Sequence, residues 1–80
     1  MAPRLPQVSG DAVVALLRKL GYTVVRQRGS HIQMKRVAES GEHCLTVPAH
    51  TPVAKGTLND ILNKVSINTG LSKQDLLSRL

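Results

Sequence analysis

The pair Gly29-Ser30 separates two short runs with strand-like apolar patterns, and it constrains the fold more than any other feature. The first run covers residues 22–28 and the second covers residues 31–36. Glycine accepts the positive φ that the first central position of a type II′ turn requires, so a Gly-Ser pair between two strands predicts a two-residue β-hairpin. His31 would then be the first residue of the returning strand.

Helical spacing of apolar residues predicts a helix on each side of this hairpin region. Ser9 is a suitable N-cap for the first helix, and Gly21 is suited to its C-terminal end. Thr57 is the expected N-cap of the second helix, and a short last helix is expected after Ser72. The apolar stripes are Val13, Leu16, Leu17 and Leu20 in the first helix and Leu58, Ile61, Leu62 and Val65 in the second.

The segment between the helices predicts a three-stranded antiparallel meander. Strands are expected over 23–27, 32–36 and 44–47, with a polar turn over 38–42 before the third strand. Helices that flank an antiparallel sheet must cover one of its faces. The α-β-β-β-α order therefore predicts a two-layer α+β sandwich whose other sheet face is left to solvent or to a partner.

The turn also determines which residues share a face of the sheet. Directly opposed residues point to the same face, and the face alternates along a strand. With Gly29-Ser30 as the turn and Val24 opposite Lys35, one face is polar and basic. Its residues are Arg26, Arg28, His31, Gln33 and Lys35. The residues expected against the helices are Val25, Gln27, Ile32 and Met34.

The third strand extends this register when Arg36 lies opposite His43. Two apolar pairs then form on the helix side, Ile32 with Val47 and Met34 with Leu45. In this register His43 is roughly 16 Å from His31, too far for the two to act together. His50 follows the end of the strand, near the turn, and is the one other histidine expected to approach His31.

Composition favours a nucleic-acid partner. The chain has 11 Lys and Arg against 5 Asp and Glu, a net charge of +6, which points to a polyanion rather than to a merely solvated surface. Tyr22 is the only aromatic residue, so we expect an aliphatic core and no aromatic platform for base stacking. Cys44 is alone, which excludes an intramolecular disulfide and a CxxC zinc site. We expect it to be a small filler residue in a reducing compartment.

Length and hydropathy indicate one domain and a cytoplasmic location. Residues 1–8 contain two prolines and are expected to form a flexible arm in front of a single domain over 9–80. No apolar run reaches the roughly 18 residues of a membrane span, and the N-terminus lacks a signal-peptide pattern. We therefore expect no membrane contact.

His31 is the candidate catalytic residue, because imidazole has an unperturbed pKa of about 6.5 and can transfer protons near neutrality. In RNA cleavage, a base removes the proton of a ribose 2′-hydroxyl, which attacks the adjacent phosphate while an acid protonates the departing 5′-oxygen. Nearby cations would stabilise the negative charge of the phosphorane that this attack forms. The cations expected around His31 are Arg26, Arg28, Lys35 and Arg36. Alternatively, His31 is an exposed strand histidine that only touches phosphate.

Other chemistries lack their characteristic residues. The three histidines are scattered and the predicted strands contain no Asp or Glu, which disfavours both a metal site and two-metal nuclease chemistry. No P-loop or GxGxxG motif occurs. Ser30 has no evident Asp-oriented base, which disfavours it as a nucleophile.

Four short segments, in this order, make the chain resemble the HicA (YcfA-like) toxins. They are Leu20-Gly21-Tyr22, Gly29-Ser30-His31, Val47-Pro48-Ala49-His50 and Lys55-Gly56-Thr57-Leu58, the last leading to Ile61-Leu62. The resemblance covers roughly residues 9–80. It implies a fold like the double-stranded-RNA-binding domain and a ribosome-independent endoribonuclease that cuts mRNA. It also implies that His31 is catalytic, that Gly29 and Ser30 shape its turn, and that a HicB-type antitoxin covers the active face.

Together, residues and resemblance predict an enzyme that needs no cofactor and no metal. The residues expected to bind RNA are Arg26, Arg28, Gln33, Lys35, His50 and Lys55. An acidic antitoxin would be complementary to such a surface, and contact with operator DNA is expected only through that antitoxin. The alternatives are a non-catalytic RNA-binding module of the same fold, or an adaptor domain that binds no RNA.

Overall fold

The computed structural model describes residues 7–80, and its elements follow the predicted α-β-β-β-α order with a short last helix. The bounds are α1 Gly10–Lys19, β1 Thr23–Arg28, β2 His31–Ala38, β3 Gly41–Pro48, α2 Lys55–Thr69 and α3 Lys73–Ser78. The strands form one antiparallel sheet in the order β1-β2-β3, which confirms the α+β fold. Most of the arm predicted over 1–8 lies outside the described residues. Val8 is described, and its carbonyl accepts a hydrogen bond from the Val53 amide over 2.8 Å.

The core lies between the helices and one face of the sheet. From the sheet it contains Ile32, Met34, Leu45 and Val47, and from the helices Val13, Leu16, Leu17, Leu58, Ile61, Leu62, Val65 and Leu76. Full burial of each such side chain contributes roughly 1.5–3 kcal/mol. The prediction of an aliphatic core is wrong in one respect, because the core also contains an aromatic residue. Tyr22 is buried, and its hydroxyl oxygen accepts a hydrogen bond from Asn68 Nδ2 over 3.3 Å.

A β-bulge at Val25 corrects the register predicted for the first hairpin. Near the turn the pairing is as predicted, but beyond the bulge Val24 lies opposite Met34 rather than opposite Lys35. The extra residue places Val24, itself 37% exposed, opposite the buried Met34 and leaves Val25 59% exposed, so the predicted inward position of Val25 is wrong. The bulge thus pairs an apolar residue with Met34 while Arg26 and Arg28 stay exposed.

The second hairpin is longer and tighter than predicted. Ala38 pairs with Gly41 across a two-residue turn, so most of the segment expected to be a turn belongs to strands. The predicted pairing of Arg36 with His43 and both apolar pairs beside it are confirmed. Cys44 lies on β3 and is exposed, so the prediction of a filler residue is wrong.

Local capping chemistry sets two of the three helix starts. Ser9 Oγ accepts a hydrogen bond from the Ala12 amide over 3.1 Å, and Ser72 Oγ accepts one from the Asp75 amide over 3.1 Å, both as predicted. Thr57 is not the cap of α2. That helix begins three residues earlier than predicted, with Ala54 at its N-cap and no side-chain hydrogen bond there.

Candidate active site and nucleic-acid interface

The turn before His31 has the predicted backbone geometry. Gly29 has a φ of 55°, and no non-glycine residue in the described chain has a positive φ. Positive φ at the first central residue alone is the requirement of a type II′ turn and excludes type I′. His31 is exposed, begins β2 and lies directly opposite Arg28 of β1. The turn thus presents an imidazole beside a guanidinium at one end of the sheet.

Two hydrogen bonds anchor this turn. The Ser30 carbonyl accepts one from the Ala49 amide over 2.6 Å, and the Gly29 carbonyl accepts one from Gln27 Nε2 over 3.2 Å. Gln27 was expected to face the helices, yet it is exposed even though it lies opposite the buried Ile32. Neither hydrogen bond is recognisable in the sequence. The bond from Ala49 is a backbone contact with a residue 19 positions away, and the Gln27 side chain was expected on the helix side of the sheet.

The segment after β3 is held in turn by the start of α1. The Gly10 amide donates to the His50 carbonyl over 2.9 Å. Gly10 is buried, and a Cβ added there would overlap the Pro48 carbonyl oxygen and approach Ala49 Cα at 3.0 Å. The close approach therefore requires glycine. The signal in the sequence is a glycine directly after the N-cap, a position where a better helix former would otherwise be favoured.

The face of the sheet that the helices leave uncovered is the predicted polar face. The pairing places Arg26 opposite Gln33 and Arg28 opposite His31, and all four side chains are exposed. No aromatic side chain lies among them. This surface is suited to electrostatic contact with phosphates and to polar contact with bases or sugars rather than to base stacking.

Lys35 belongs to the same face but is not a free cation. Its Nζ lies 3.5 Å from Glu42 Oε1, with side-chain exposures of 34% and 61%. Because β3 begins at Gly41, Glu42 is a strand residue, and the expectation of strands without acidic residues is wrong. The ion pair places a carboxylate at the end of the sheet far from His31.

Arg36 does not join the cations around His31. It lies on the helix side, where its Nε donates to the Leu20 carbonyl over 3.1 Å and its Nη1 donates to the Asn68 carbonyl over 3.2 Å. Leu20 is the C-cap of α1 and Asn68 lies in the last turn of α2. A guanidinium there bridges two helix ends whose carbonyls lack intrahelical partners, which is a structural role.

The remaining predicted RNA contacts lie on other elements. His50 is exposed two residues beyond β3, and the Ala49–Ser30 bond brings it next to the His31 turn. Lys55 is exposed at the first residue of α2, and within residues 7–80 no hydrogen bond joins it to that turn. His43 is half-buried, and its Nε2 lies 3.1 Å from Ser40 Oγ.

Neither a metal centre nor a membrane-spanning helix is found in the part of the chain that the structure describes. No group of three or more His, Cys, Asp or Glu side chains in residues 7–80 is arranged to hold a metal ion. In the same residues, no helix has both the length and the apolar character needed to cross a bilayer.

Comparison with known proteins decides the family. The model of the HicA toxins of bacterial toxin–antitoxin systems matches residues 10–67, well over half of the chain. This chain belongs to the HicA toxin family. No curated protein and no solved structure matches it significantly.

Family membership gives the chain a general role. As a member of the HicA family, the chain has the role of a toxin in a toxin–antitoxin system, and its partner is an antitoxin. The matched region begins at Gly10 and contains the His31 turn, the whole sheet and most of α2. It therefore covers every element that positions the candidate site.

Proposed function

We propose that this HicA family toxin is a metal-independent endoribonuclease that cleaves mRNA, with His31 as the catalytic residue. The observation that carries the proposal is the exposed imidazole at a tight turn, directly opposite Arg28. Gly29 supplies the positive φ of the turn, and Ser30 supplies the carbonyl that anchors it. A proton-transfer group is thereby held on short, rigid elements beside a permanent positive charge.

In the proposed reaction, His31 acts as general base. It accepts the proton of a ribose 2′-hydroxyl, whose oxygen attacks the adjacent phosphorus. Arg28, on the neighbouring strand, stabilises the negative charge that develops on the phosphate oxygens. Arg26 and Gln33 continue the polar surface along the sheet and bind the RNA strand beyond the scissile bond. The net charge of +6 attracts the polyanion to this face.

Lys35, His50 and Lys55 are proposed to contribute further RNA contacts. Lys35 does so only when phosphate competes successfully with Glu42, since the two side chains already form an ion pair. Lys55 lies on the helix layer and would contact RNA that extends past the sheet edge. We propose that the toxin acts in the cytoplasm, where mRNA is available.

A HicB-type antitoxin is proposed to neutralise the toxin by covering the outer face of the sheet. Carboxylates of such a partner can pair with Arg26 and Arg28, both of which are exposed. Complementary charge accelerates association and favours the correct partner. Contact with operator DNA would then occur through the antitoxin, because the antitoxin occupies the basic face.

The deciding experiment compares cleavage of a defined transcript by the wild-type chain and by the His31→Ala variant in the presence of excess EDTA. We expect wild-type cleavage to persist in EDTA and the variant to lose 10²-fold or more in rate, on the order of a lost general base. Circular dichroism should show an unchanged fold, because the His31 side chain is exposed.

The matched control is His43→Ala, which removes an imidazole at the far end of the hairpin. It should retain the wild-type rate. Cleavage by His31→Ala at the wild-type rate would refute the assignment. Salt-sensitive RNA binding without any cleavage by the wild-type chain would favour the second candidate, a non-catalytic RNA-binding module, which the basic sheet face also supports.

A further inference from the structure

The contacts around the turn place the backbone of His50 next to the turn that presents His31. In the β2–β3 ladder, His31 lies opposite Pro48. Proline has no N–H to donate, so this is a position without a direct hydrogen bond from β3, and the next bond runs from Ala49 to Ser30. His50 directly follows Ala49, so its backbone lies beside the Gly29-Ser30 turn.

His31 and His50 thus lie on adjoining segments at the same end of the sheet. Both histidines are exposed, so both imidazoles are accessible to RNA bound at this end of the sheet. His43 has no comparable relationship to either, since it lies near the opposite end of β3.

The backbone of His50 is held on both sides, unlike that of an ordinary surface loop. Its carbonyl accepts the Gly10 amide over 2.9 Å, and the preceding residue bonds to Ser30. Gly10 approaches Pro48 and Ala49 too closely for any side chain. A polar side chain that is exposed on an immobilised backbone next to a reactive group is suited to catalysis, because little reorganisation is needed when substrate binds.

We propose that His50 is the general acid of this toxin, a proposal that rests on the ribonuclease function above. His31 takes the proton of the 2′-hydroxyl as the bond between the 2′-oxygen and phosphorus forms. The bond between phosphorus and the 5′-oxygen breaks, and the His50 imidazolium gives its proton to that oxygen. The products are a 2′,3′-cyclic phosphate and a 5′-hydroxyl. His31 is left protonated and His50 neutral, and proton exchange with water restores both.

The test uses two RNA oligonucleotides that span a site first mapped with the wild-type enzyme. One has the normal linkage, and the other has sulfur in place of the 5′-oxygen at the scissile bond. A thiolate departs without protonation, so a missing general acid no longer slows the reaction. We expect His50→Ala to lower kcat on the oxygen substrate by 10²–10⁴-fold, with KM changed far less. On the sulfur substrate it should approach the wild-type rate.

Three control variants make the result specific. His31→Ala should be inactive on both substrates, and His43→Ala should match wild type on both. His50→Gln should behave as His50→Ala does, because glutamine retains a polar side chain that can contact phosphate but cannot donate a catalytic proton. Circular dichroism and melting temperature establish that the variants are folded.

Several outcomes would overturn the proposal. Wild-type kcat in His50→Ala on the oxygen substrate, or failure of the sulfur substrate to restore that variant, would leave His50 at most a phosphate contact. Restoration of His31→Ala by sulfur would reverse the two roles. In each of these cases wild-type cleavage and its dependence on His31 remain, so the ribonuclease function stands. Failure of the wild-type chain to cleave any RNA would instead refute both.

Discussion

The Ala49 amide donates a 2.6 Å hydrogen bond to the Ser30 carbonyl, and this contact joins the turn that presents His31 to the segment that carries His50. The two histidines are 19 positions apart in the chain, and the segments that carry them adjoin only because β2 and β3 pair in one particular register. The start of α1 closes the arrangement through the bond from Gly10 to His50. The candidate site is thus supported by three elements, and its geometry is sensitive to changes in a helix that carries none of its reactive groups.

Gly10→Ala is expected to destabilise the fold by about 1–3 kcal/mol, because the added methyl group would overlap the backbone of Pro48 and Ala49. RNA cleavage per folded molecule should also fall, since the shift displaces His50. Urea denaturation measures the first effect and single-turnover cleavage the second. The control is Gly56→Ala, where an added Cβ meets nothing within 4 Å and unfolding free energy should be unchanged or slightly higher. Equal stability of the two variants would refute the prediction.

Arg36→Ala and Arg28→Ala should have opposite consequences. Arg36→Ala removes charged donors from the Leu20 and Asn68 carbonyls, and we expect the free energy of unfolding to fall by about 1–3 kcal/mol. Arg28→Ala alters an exposed strand position, so unfolding should change by no more than about 0.5 kcal/mol while RNA affinity falls. Denaturation curves and RNA-binding isotherms for both variants test this. Weaker RNA binding by folded Arg36→Ala, equal to that of Arg28→Ala, would contradict the structural role of Arg36.

Glu42→Gln is expected to strengthen RNA binding, because it frees Lys35 from its ion pair. An exposed pair of this kind contributes about 0.2–1 kcal/mol, so the gain in affinity should be at most about fivefold. Binding is best measured in the His31→Ala background, where RNA stays intact, at several salt concentrations. Glu39→Gln makes the same change of net charge at an exposed turn residue. An equal gain from both variants would show that only net charge matters and that the Lys35 pair does not compete with RNA.

Helix capping offers a test of the structure that is independent of function. Ser9→Ala and Ser72→Ala each remove an observed cap and should cost about 0.5–2 kcal/mol. Thr57→Ala should change stability by no more than about 0.5 kcal/mol, because Thr57 lies inside α2 and caps nothing. Thermal or urea unfolding of the three variants checks the ranking. A cost for Thr57→Ala as large as that for Ser9→Ala would place the start of α2 where the sequence predicted it.

Local chemistry made much of the fold and part of the site predictable. Ser9 and Ser72 cap helices through bonds to residues three positions away. Gly29 provides a positive φ within a two-residue turn. These interactions span only a few residues, so their residue types are readable from a short window of sequence. The prediction that His31 begins a strand on a polar face rested on the same kind of evidence.

What the sequence by itself determined is therefore the order of elements, the hairpin turn and the side of β2 that carries His31. Only the tertiary structure decided that Val24 rather than Val25 lies opposite Met34, that Arg36 bridges two helix ends, and that Ala49 anchors Ser30. The physical reason is the range of the interactions. A bulge, a cation that bridges two helix ends and a backbone bond between distant segments depend on which surfaces meet after the chain has closed on itself, and no local pattern of residues specifies that choice.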